Sequence, residues 1–359
     1  MKKIVMTIGG IVLAATVLVA QTSGNRSDVN VLGDENTVEV AQHGVGDNSS
    51  TVLQGQGALG YSDKGKALVT QDGALNEAYT AQDGFRNTAN TIQNGESHHS
   101  SIQQEGSRNW AKANQQAQGN NPSFENESTI DQQGFKNRAN ITQRGSYNTS
   151  LAVQSNGEDN DAKLLQRGDG NESQIFQANG DGNMADVSQK GDGNSSIIGQ
   201  GSLYEIIPSN DNQAFVEQIG DGNESAIGQI GGSRNFADVY QEGDGNSSLI
   251  GQLLGNDNAA YVDQQGDNNV SILGEIGGDR NLTTIIQDGT GNLSLVGELL
   301  GSDNETLVDQ QGAFNVSRVG VAGSTNMISV EQSGSLNNSD IQVIGNGNTC
   351  TVKQGGLTP

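Results

Sequence analysis

Polar and apolar positions alternate with a period of two in short segments that recur along most of the chain. Three copies follow one another in the middle of the sequence, starting at Asn171, Asn183 and Asn194, and each ends at a glutamine six residues later. Two residues after each Asn lies a small residue, and four after it an aliphatic one, as at Ala185 and Val187. A period of two is typical of a β-strand, because a helix has a period of 3.6. The pattern predicts strands whose small and aliphatic side chains point inward.

Glycine-rich links join the copies, so that turns fall every 11 or 12 residues. Gly, Asp and Asn in such links tolerate the positive φ that a tight reversal needs. Degenerate copies bring the total to about 28 units; Gly65 and His98 replace the Asn in two of them, and Glu275 and Glu298 replace the Gln in two others. Self-similarity at a fixed period indicates a repeat architecture.

The small inward residue alternates in kind from one unit to the next. Ser196 and Ser248 belong to one set, and Ala185 and Ala237 belong to the other. The true repeat is therefore two units, 22 or 23 residues, which we interpret as one coil of strand, turn, strand and turn. The sequence predicts an all-β fold, a β-solenoid (parallel β-helix) of about 14 coils with two stacked, in-register parallel sheets. Such stacking places like residues on like at ~4.8 Å.

Inward Asn and Gln side chains at the same position of successive coils are expected to bond to one another along the stack. We predict that these amides form stacking ladders. The candidate ladder residues are Asn171, Gln177, Asn183, Gln189, Asn194, Gln200, Asn223, Gln229, Asn235, Gln241, Asn246 and Gln252.

The turn that follows the serine strands carries a charge that alternates from coil to coil. The residue before the Asn in this turn is, in successive coils, Asp211, Arg234, Asp257, Arg280 and Asp303, which we name the register column. Neighbours ~4.8 Å apart would set each arginine between two carboxylates. A slip by one coil would place like charge on like, so the column is predicted to favour one alignment of the coils.

The two ends of the chain differ from the repeats. Residues 1–20 contain two lysines and then an apolar run, which is the pattern of a cleaved secretory signal peptide. A membrane anchor is the alternative, but about 17 apolar residues lie at the short limit for spanning a bilayer. We assign 21–35 to an N-terminal segment, where a weak first strand could begin, 36–354 to the repeats and 355–359 to a C-terminal tail.

Three links are longer than the rest, after Gln54, Gln115 and Gln200. We interpret them as loops that leave the stack intact, because the pattern resumes in phase after each one. A domain boundary at one of these links is the alternative.

Composition narrows the classes of partner and of chemistry. The chain has 18 basic and 42 acidic residues, a formal charge of −24, which disfavours nucleic acid as a partner. The lone Cys350 excludes an intramolecular disulfide. His98 and His99 are adjacent and should point to opposite faces of a strand, so one metal ion is not expected to bind both. No recurring Ser, His and Asp order suggests catalysis, and we predict no catalytic, metal or cofactor site.

Acidic residues recur in the turns that follow the alanine strands. They are Asp169, Asp192, Asp221, Asp244 and Asp267, and they should form a column. We interpret them as solvated charge, with loose binding of divalent cations as the alternative.

The unit Gln-x-Gly-x-Gly-Asn-x-Ala-x-x-x-Gln, seen most fully around Gly182, Asn183, Ala185 and Gln189, resembles the curlin repeat. The resemblance covers nearly all of the chain after residue 20. Curlins are the subunits of curli, the functional amyloid of bacterial biofilms. The resemblance implies export of the unfolded chain through an outer-membrane pore, nucleated assembly with a minor nucleator subunit, and end-to-end polymerisation of β-solenoid subunits. This chain has many more repeats than the familiar five-repeat subunit.

The expected function is that of a structural subunit of an extracellular fibre attached to the cell surface. Its main partner would be a second copy of itself, and the fibre would build biofilm matrix and contact surfaces or host matrix. The end coils, near 25–54 and 337–354, are expected to present unpaired strand edges, which favours polymerisation. The alternative is a monomeric secreted β-helix that acts as an adhesin or a glycan-processing enzyme. An ice-binding solenoid is disfavoured because the outward positions carry no array of threonines.

Overall fold

The computed structural model describes residues 4–8, 16–21, 24–44, 46–56, 60–117, 123–202 and 209–355. These residues form strands and turns, and none of them lies in a helix that could cross a membrane. The chain divides into two compact units, residues 1–178 (unit 1) and 179–359 (unit 2). Each unit is a β-solenoid with a serine sheet and an alanine sheet, named after the small inward residue. The prediction of an all-β solenoid of about 14 coils with two parallel sheets is confirmed.

Unit 1 stacks its strands in chain order, alternating between the two sheets. Its serine sheet contains Ile4–Ile8, Arg26–Val31, Ser49–Gln54, Glu77–Phe85, His99–Ser107, Glu127–Phe135, Thr149–Glu158 and Glu172–Ala178, and the short strand Ser62–Asp63 pairs with Glu77–Phe85. Its alanine sheet contains Thr16–Gln21, Thr37–His43, Lys66–Ala74, Thr88–Glu96, Trp110–Gln116, Arg138–Arg144 and Asp161–Arg167.

Unit 2 follows the same plan. Its serine sheet contains Ser195–Gly201, Glu224–Ile230, Ser247–Leu253, Val270–Ile276, Leu293–Leu299, Val316–Ala322 and Asn338–Ile344. Its alanine sheet contains Met184–Lys190, Gln213–Ile219, Phe236–Glu242, Ala259–Asp267, Leu282–Thr290, Glu305–Ala313, Met327–Ser335 and Thr349–Gln354.

The register places identical positions of successive units opposite one another. Ser225 pairs with Ser248 in the serine sheet, and Ala237 pairs with Ala260 in the alanine sheet. Pairing also continues across the long link after Gln200, since Gln200 pairs with Gln229. The middles of the three long links, residues 57–59, 118–122 and 203–208, lie outside the described residues.

The core is the thin space between the two sheets. Ala237 and Val239 of the alanine sheet and Ile250 of the serine sheet are fully buried there. Burying one such aliphatic side chain stabilises a fold by ~1.5–3 kcal/mol. Ser and Ala at the neighbouring inward positions are small enough for the sheets to approach closely. The alternation of small and branched residues in each unit therefore sets the spacing of the sheets.

Tight turns close each coil, and they accept residues that the sequence did not suggest. Phe314 and Leu336, each just before an Asn, have φ of 54° and 62°, in the left-handed region that ordinary side chains avoid. The sequence predicted positive φ at Gly, Asp and Asn of the links, but the turn imposes it on bulky residues too. Elsewhere glycine is required by contact: a Cβ at Gly243 would lie 2.1 Å from the carbonyl oxygen of Gly266 in the next coil.

Two strands precede the predicted repeats. Ile4–Ile8 pairs with Arg26–Val31, and Thr16–Gln21 pairs with Thr37–His43. The edge near residue 25, which the sequence predicted to be open, is therefore covered by backbone from the predicted signal peptide. Residues 1–3, 9–15 and 356–359 of the predicted signal peptide and tail lie outside the described residues.

Candidate functional site

The buried glutamines form ladders along both sheets, which in the serine sheet of unit 2 give way to Glu275, Glu298, Val321 and Val343. In every pair, Nε2 of one glutamine donates to Oε1 of the glutamine one coil further along the chain. The bonds are Gln200 to Gln229 (2.9 Å) and Gln229 to Gln252 (2.9 Å) in the serine sheet of unit 2, Gln189 to Gln218 and Gln218 to Gln241 (both 2.8 Å) in its alanine sheet, and Gln154 to Gln177 (2.8 Å) in unit 1. All of them point the same way, so an uninterrupted ladder has an acceptor at its N-terminal end and a donor at its C-terminal end.

The same amide nitrogens also tie one sheet to the other. Gln229 Nε2 donates to the backbone carbonyl oxygen of Gln213 at 3.0 Å, and Gln241 Nε2 donates to that of Glu224 at 3.0 Å. One N–H of the amide therefore donates along the stack to the next glutamine, and the other donates across to the opposite sheet. A primary amide is the neutral side chain that supplies two such donors and an acceptor, which explains why glutamine recurs at this buried position.

The asparagines hold the turns in place, mostly through backbone groups. Asn212 Oδ1 accepts the backbone N–H of Asn235 at 2.8 Å, and Asn235 Nδ2 donates to the carbonyl oxygen of Gly255 at 2.8 Å. The other candidates bond in the same manner through Oδ1, Nδ2 or the backbone N–H: Asn171, Asn183, Asn194, Asn223 and Asn246. Direct contact between amides also occurs, as from Asn223 Nδ2 to Asn194 Oδ1 at 3.2 Å. The asparagine ladder is therefore mainly a clamp between side chain and backbone.

Two carboxyl groups interrupt the glutamine ladder of the serine sheet in unit 2. Gln252 Nε2 donates to Glu275 Oε2 at 3.0 Å, but Glu275 Oε1 and Glu298 Oε2 have no hydrogen-bond partner among the described residues. Burial, with the neighbouring charge of Glu298, raises the pKa of Glu275 to about 8. Burial also raises the pKa of Glu298, whose Oε1 accepts bonds from Thr283 (3.0 Å) and Thr306 (2.8 Å). Glu275 is therefore protonated at neutral pH.

His98 performs the task of the asparagine that it replaces. Its Nδ1 accepts the backbone N–H of Asn126 at 3.1 Å, and its Nε2 lies 3.0 Å from Ser123 Oγ. Burial lowers the pKa of His98 to about 4, so the ring is neutral at physiological pH. His99 lies on the opposite face, exposed and 3.2 Å from Glu77. Sequence reasoning located the substitution but missed its role, because the partner lies one coil away.

The register column pairs its charges in one direction. Arg234 donates from Nε and Nη2 to the two carboxylate oxygens of Asp257, both at 2.7 Å, and Arg280 does the same to Asp303 at 2.7 and 2.8 Å. These bonds lower the pKa of Asp257 and of Asp303 below the ordinary value. The sequence predicted that each arginine lies between two carboxylates. In the structure each arginine forms its hydrogen bonds with the aspartate of the following coil, and Asp211 lies at the start of the column.

The acidic turns form a column of their own in unit 2. The backbone N–H of Asp192 donates to Asp221 Oδ1 at 2.8 Å, and that of Asp221 donates to Asp244 Oδ1 at 2.9 Å. Asp244 and Asp267 continue this pattern at 3.0 Å. Within the described ranges no group of three or more His, Cys, Asp or Glu residues is placed to hold a metal ion.

The last coil of unit 2 has no coil beyond it among the described residues. Its inward residues Cys350 and Val352 are half-buried, whereas Ile328 and Val330, their partners one coil earlier, are 1 % and 0 % exposed. Gln354 Nε2 donates to the carbonyl oxygen of Asn338 at 2.8 Å. Across the sheets this amide is bonded as in earlier coils, but no glutamine follows it along the stack in the part of the chain that the structure describes.

The sequence repeats that form these coils match a known family. A family model described as curlin associated repeat matches residues 137–164, 157–191, 232–266, 278–312, 301–334 and 326–356, together just under half of the chain. The chain is a many-repeat member of the curlin family. Curlins are structural subunits that assemble into extracellular fibres, so the family is not one of enzymes. No curated protein matches this curlin chain.

Proposed function

We propose that this curlin is a structural subunit of an extracellular amyloid fibre, attached to the cell surface, which polymerises through its end strands. The observation that carries the proposal is the last coil of unit 2, which no described residue covers. Its inward residues Cys350 and Val352 are half-buried, whereas their partners one coil earlier are buried, and its glutamine ladder ends in a donor at Gln354. A second copy that continued the register would bury those residues and accept that bond.

The other end supplies a matching surface once the signal peptide is removed. In the structure, Ile4–Ile8 and Thr16–Gln21 occupy the edge of the first coil. Cleavage after Ala20 would take both strands away, apart from Gln21, and leave Arg26–Val31 and Thr37–His43 as open edges. The mature chain would then present an acceptor end to the donor end of the preceding copy. We further propose an outer-membrane export pore and a minor nucleator subunit as partners, a role in biofilm matrix and adhesion, and no enzymatic activity.

Backbone geometry identifies which groups of the last strand point toward an incoming copy. Met327, the first residue after its Asn, donates its N–H forward to the carbonyl oxygen of Asn348. Thr349 holds the same position in the last coil, and its N–H therefore points away from the fold. Since a parallel strand alternates its bonding sides, the N–H of Thr351 also points outward and that of Val352 points back.

This alternation defines the test. Thr351→Pro removes a donor aimed at the incoming strand without removing a bond inside the subunit. We expect it to stop elongation from preformed seeds of the parent protein, with unfolding of the monomer little changed; Thr351→Val, which keeps the N–H, is the matched control. Seeded growth is measured by sedimentation and electron microscopy. Growth of the proline variant at the rate of the valine variant would show that the C-terminal strand is not the growing contact.

A further inference from the structure

Four basic residues occupy one position in successive coils of unit 1, at the turn from a serine strand into an alanine strand. They are Lys64, Arg86, Arg108 and Lys136, all exposed, and we name them the cation row. Backbone bonds from Arg108 to Phe85 and from Lys136 to Ser107, at 2.8 and 2.9 Å, place them on consecutive coils. Like charges ~4.8 Å apart repel one another, so the row disfavours the isolated subunit.

Aromatic rings hold these cations in position. The guanidinium of Arg86 lies 4.8 Å and the ammonium of Lys64 5.7 Å from the ring centre of Phe85. Around Phe135, the ammonium of Lys136 lies at 4.7 Å and the guanidinium of Arg108 at 5.4 Å. Such cation–π contacts are favourable and limit the rotamers of long side chains. The row is therefore ordered before any partner binds.

Among the described residues, carboxylates form ion pairs with the cation row only at its two ends. Lys64 lies 3.5 Å from Glu35, and Lys136 lies 3.5 Å from Asp159. Arg86 and Arg108, in the middle, form no ion pair with any residue that the structure describes.

At the same turn in unit 2, acidic and basic side chains neutralise one another. There the register column alternates acid and base, and its arginines form two-pronged bonds with Asp257 and Asp303. The position therefore permits internal pairing, and unit 1 uses it only at the two ends of the cation row. The positive charge of the cation row is left for a group outside the subunit.

A complementary row exists on unit 2, at the turn from an alanine strand into a serine strand. Asp192, Asp221, Asp244 and Asp267, the aspartate row, are exposed and lie on four consecutive coils. The two rows thus have four members each and the same spacing. Net charge is also uneven: residues 1–178 contain 13 basic and 19 acidic residues, a net −6, and residues 179–359 contain 5 and 23, a net −18.

We propose that the cation row of one copy docks against the aspartate row of a second copy that lies alongside it with parallel strand stacking. The proposal rests on the proposed function, because fibres are what bring parallel copies together. Equal spacing lets four cations meet four carboxylates rung for rung. The contact joins unlike surfaces, so it continues from copy to copy and assembles filaments into bundles.

The test is a charge exchange, scored on purified filaments by electron microscopy. R86E/R108E and D221N/D244N should each give single filaments where the parent gives bundles; the asparagines keep the Oδ1 acceptors that the turn uses. A chain carrying R86E/R108E together with D221K/D244K should bundle again. R144E/R167E, the same charge change on outward positions of the alanine sheet of unit 1, is the matched control and should bundle like the parent.

The outcomes are separable. Absence of filaments in the parent would refute the proposed function, whereas filaments that bundle regardless of the row charges would refute this inference alone. Failure of the exchanged chain to bundle, despite intact single filaments, would also refute it. Parent bundles should come apart as added salt shortens the screening length from about 10 Å at 0.1 M to about 3 Å at 1 M. Parent filaments that bundle only when polyphosphate is added would show that the partner is a polyanion and not a second copy.

Discussion

His98 Nδ1 accepts the backbone N–H of Asn126 at 3.1 Å, the bond that an asparagine Oδ1 makes in neighbouring coils. The bond needs a neutral ring, and burial lowers the pKa of His98 from 6.5 to about 4. Since the pKa in the folded state lies below the unfolded value, the stability that depends on the neutral ring is present above about pH 6.5. It is lost as pH falls through 4.

We therefore expect His98→Asn to remove an acid-sensitive step. The parent should lose up to about 3 kcal/mol of its free energy of unfolding between pH 6.5 and 4 through this one group, and the variant should not. Urea unfolding at low protein concentration, followed by circular dichroism at several pH values, measures the difference. His99→Asn changes an exposed histidine on the opposite face and should keep the parent profile. An unchanged acid profile in His98→Asn would contradict the assigned role.

The opposite dependence on pH is expected at Glu275. Its pKa is raised to about 8 in the folded state, so the stability linked to its proton is present below about pH 4.5 and lost as pH rises through 8. Glu275→Gln restores an amide to the ladder and should be more stable than the parent at pH 8–9, with the difference disappearing near pH 4.5. Glu305→Gln, at an exposed position, is the control. Equal unfolding midpoints for parent and Glu275→Gln at pH 9 would contradict the prediction.

The strands could be predicted from the sequence because each unit repeats the same inward residues with a period of two. In-register stacking followed from the repetition itself. The roles of His98 and of the asparagine clamp could not be predicted in this way, because they depend on a backbone N–H one coil away and on a turn with positive φ. The basic residues of the cation row can be read from the sequence, at the position before Gly65 and before each following Asn. The structure was needed to show that Glu35 and Asp159 pair only with Lys64 and Lys136, and that Arg86 and Arg108 have no ion pair among the described residues.

Cys350 provides a direct probe of end-to-end assembly. In the single chain it is half-buried at an inward position of the last coil, opposite Ile328. An added copy would cover it, so alkylation by a bulky maleimide should be fast in the monomer and strongly slowed in the fibre. Cys350→Ala combined with Ser335→Cys moves the only thiol to the exposed end of a strand, where it should react at similar rates in both states. Fast alkylation of Cys350 throughout the fibre would exclude burial of the last coil.

The register column should affect assembly in a way that depends on salt. Changing Arg234 and Arg280 to aspartate removes both two-pronged ion pairs and leaves five stacked carboxylates. We expect slower assembly at low ionic strength, with recovery as salt screens the repulsion. Arg318→Asp, at an exposed outward position of the serine sheet, controls for a change of net charge. Assembly rates of the double variant that follow the parent at every salt concentration would show that the column does not set register.

The repetition of one kind of coil also has a consequence for the place where a fibre of this curlin would break. Each coil contacts only its neighbours, so the number of coils in one chain is not limited by the fold. With about 14 coils per chain, most neighbouring coils are also joined by covalent backbone, and a joint without a covalent connection would occur once per subunit. A shorter subunit makes a fibre of the same length with more joints. Duplication of a 22- or 23-residue repeat is thus a route to tensile strength that needs no new contact.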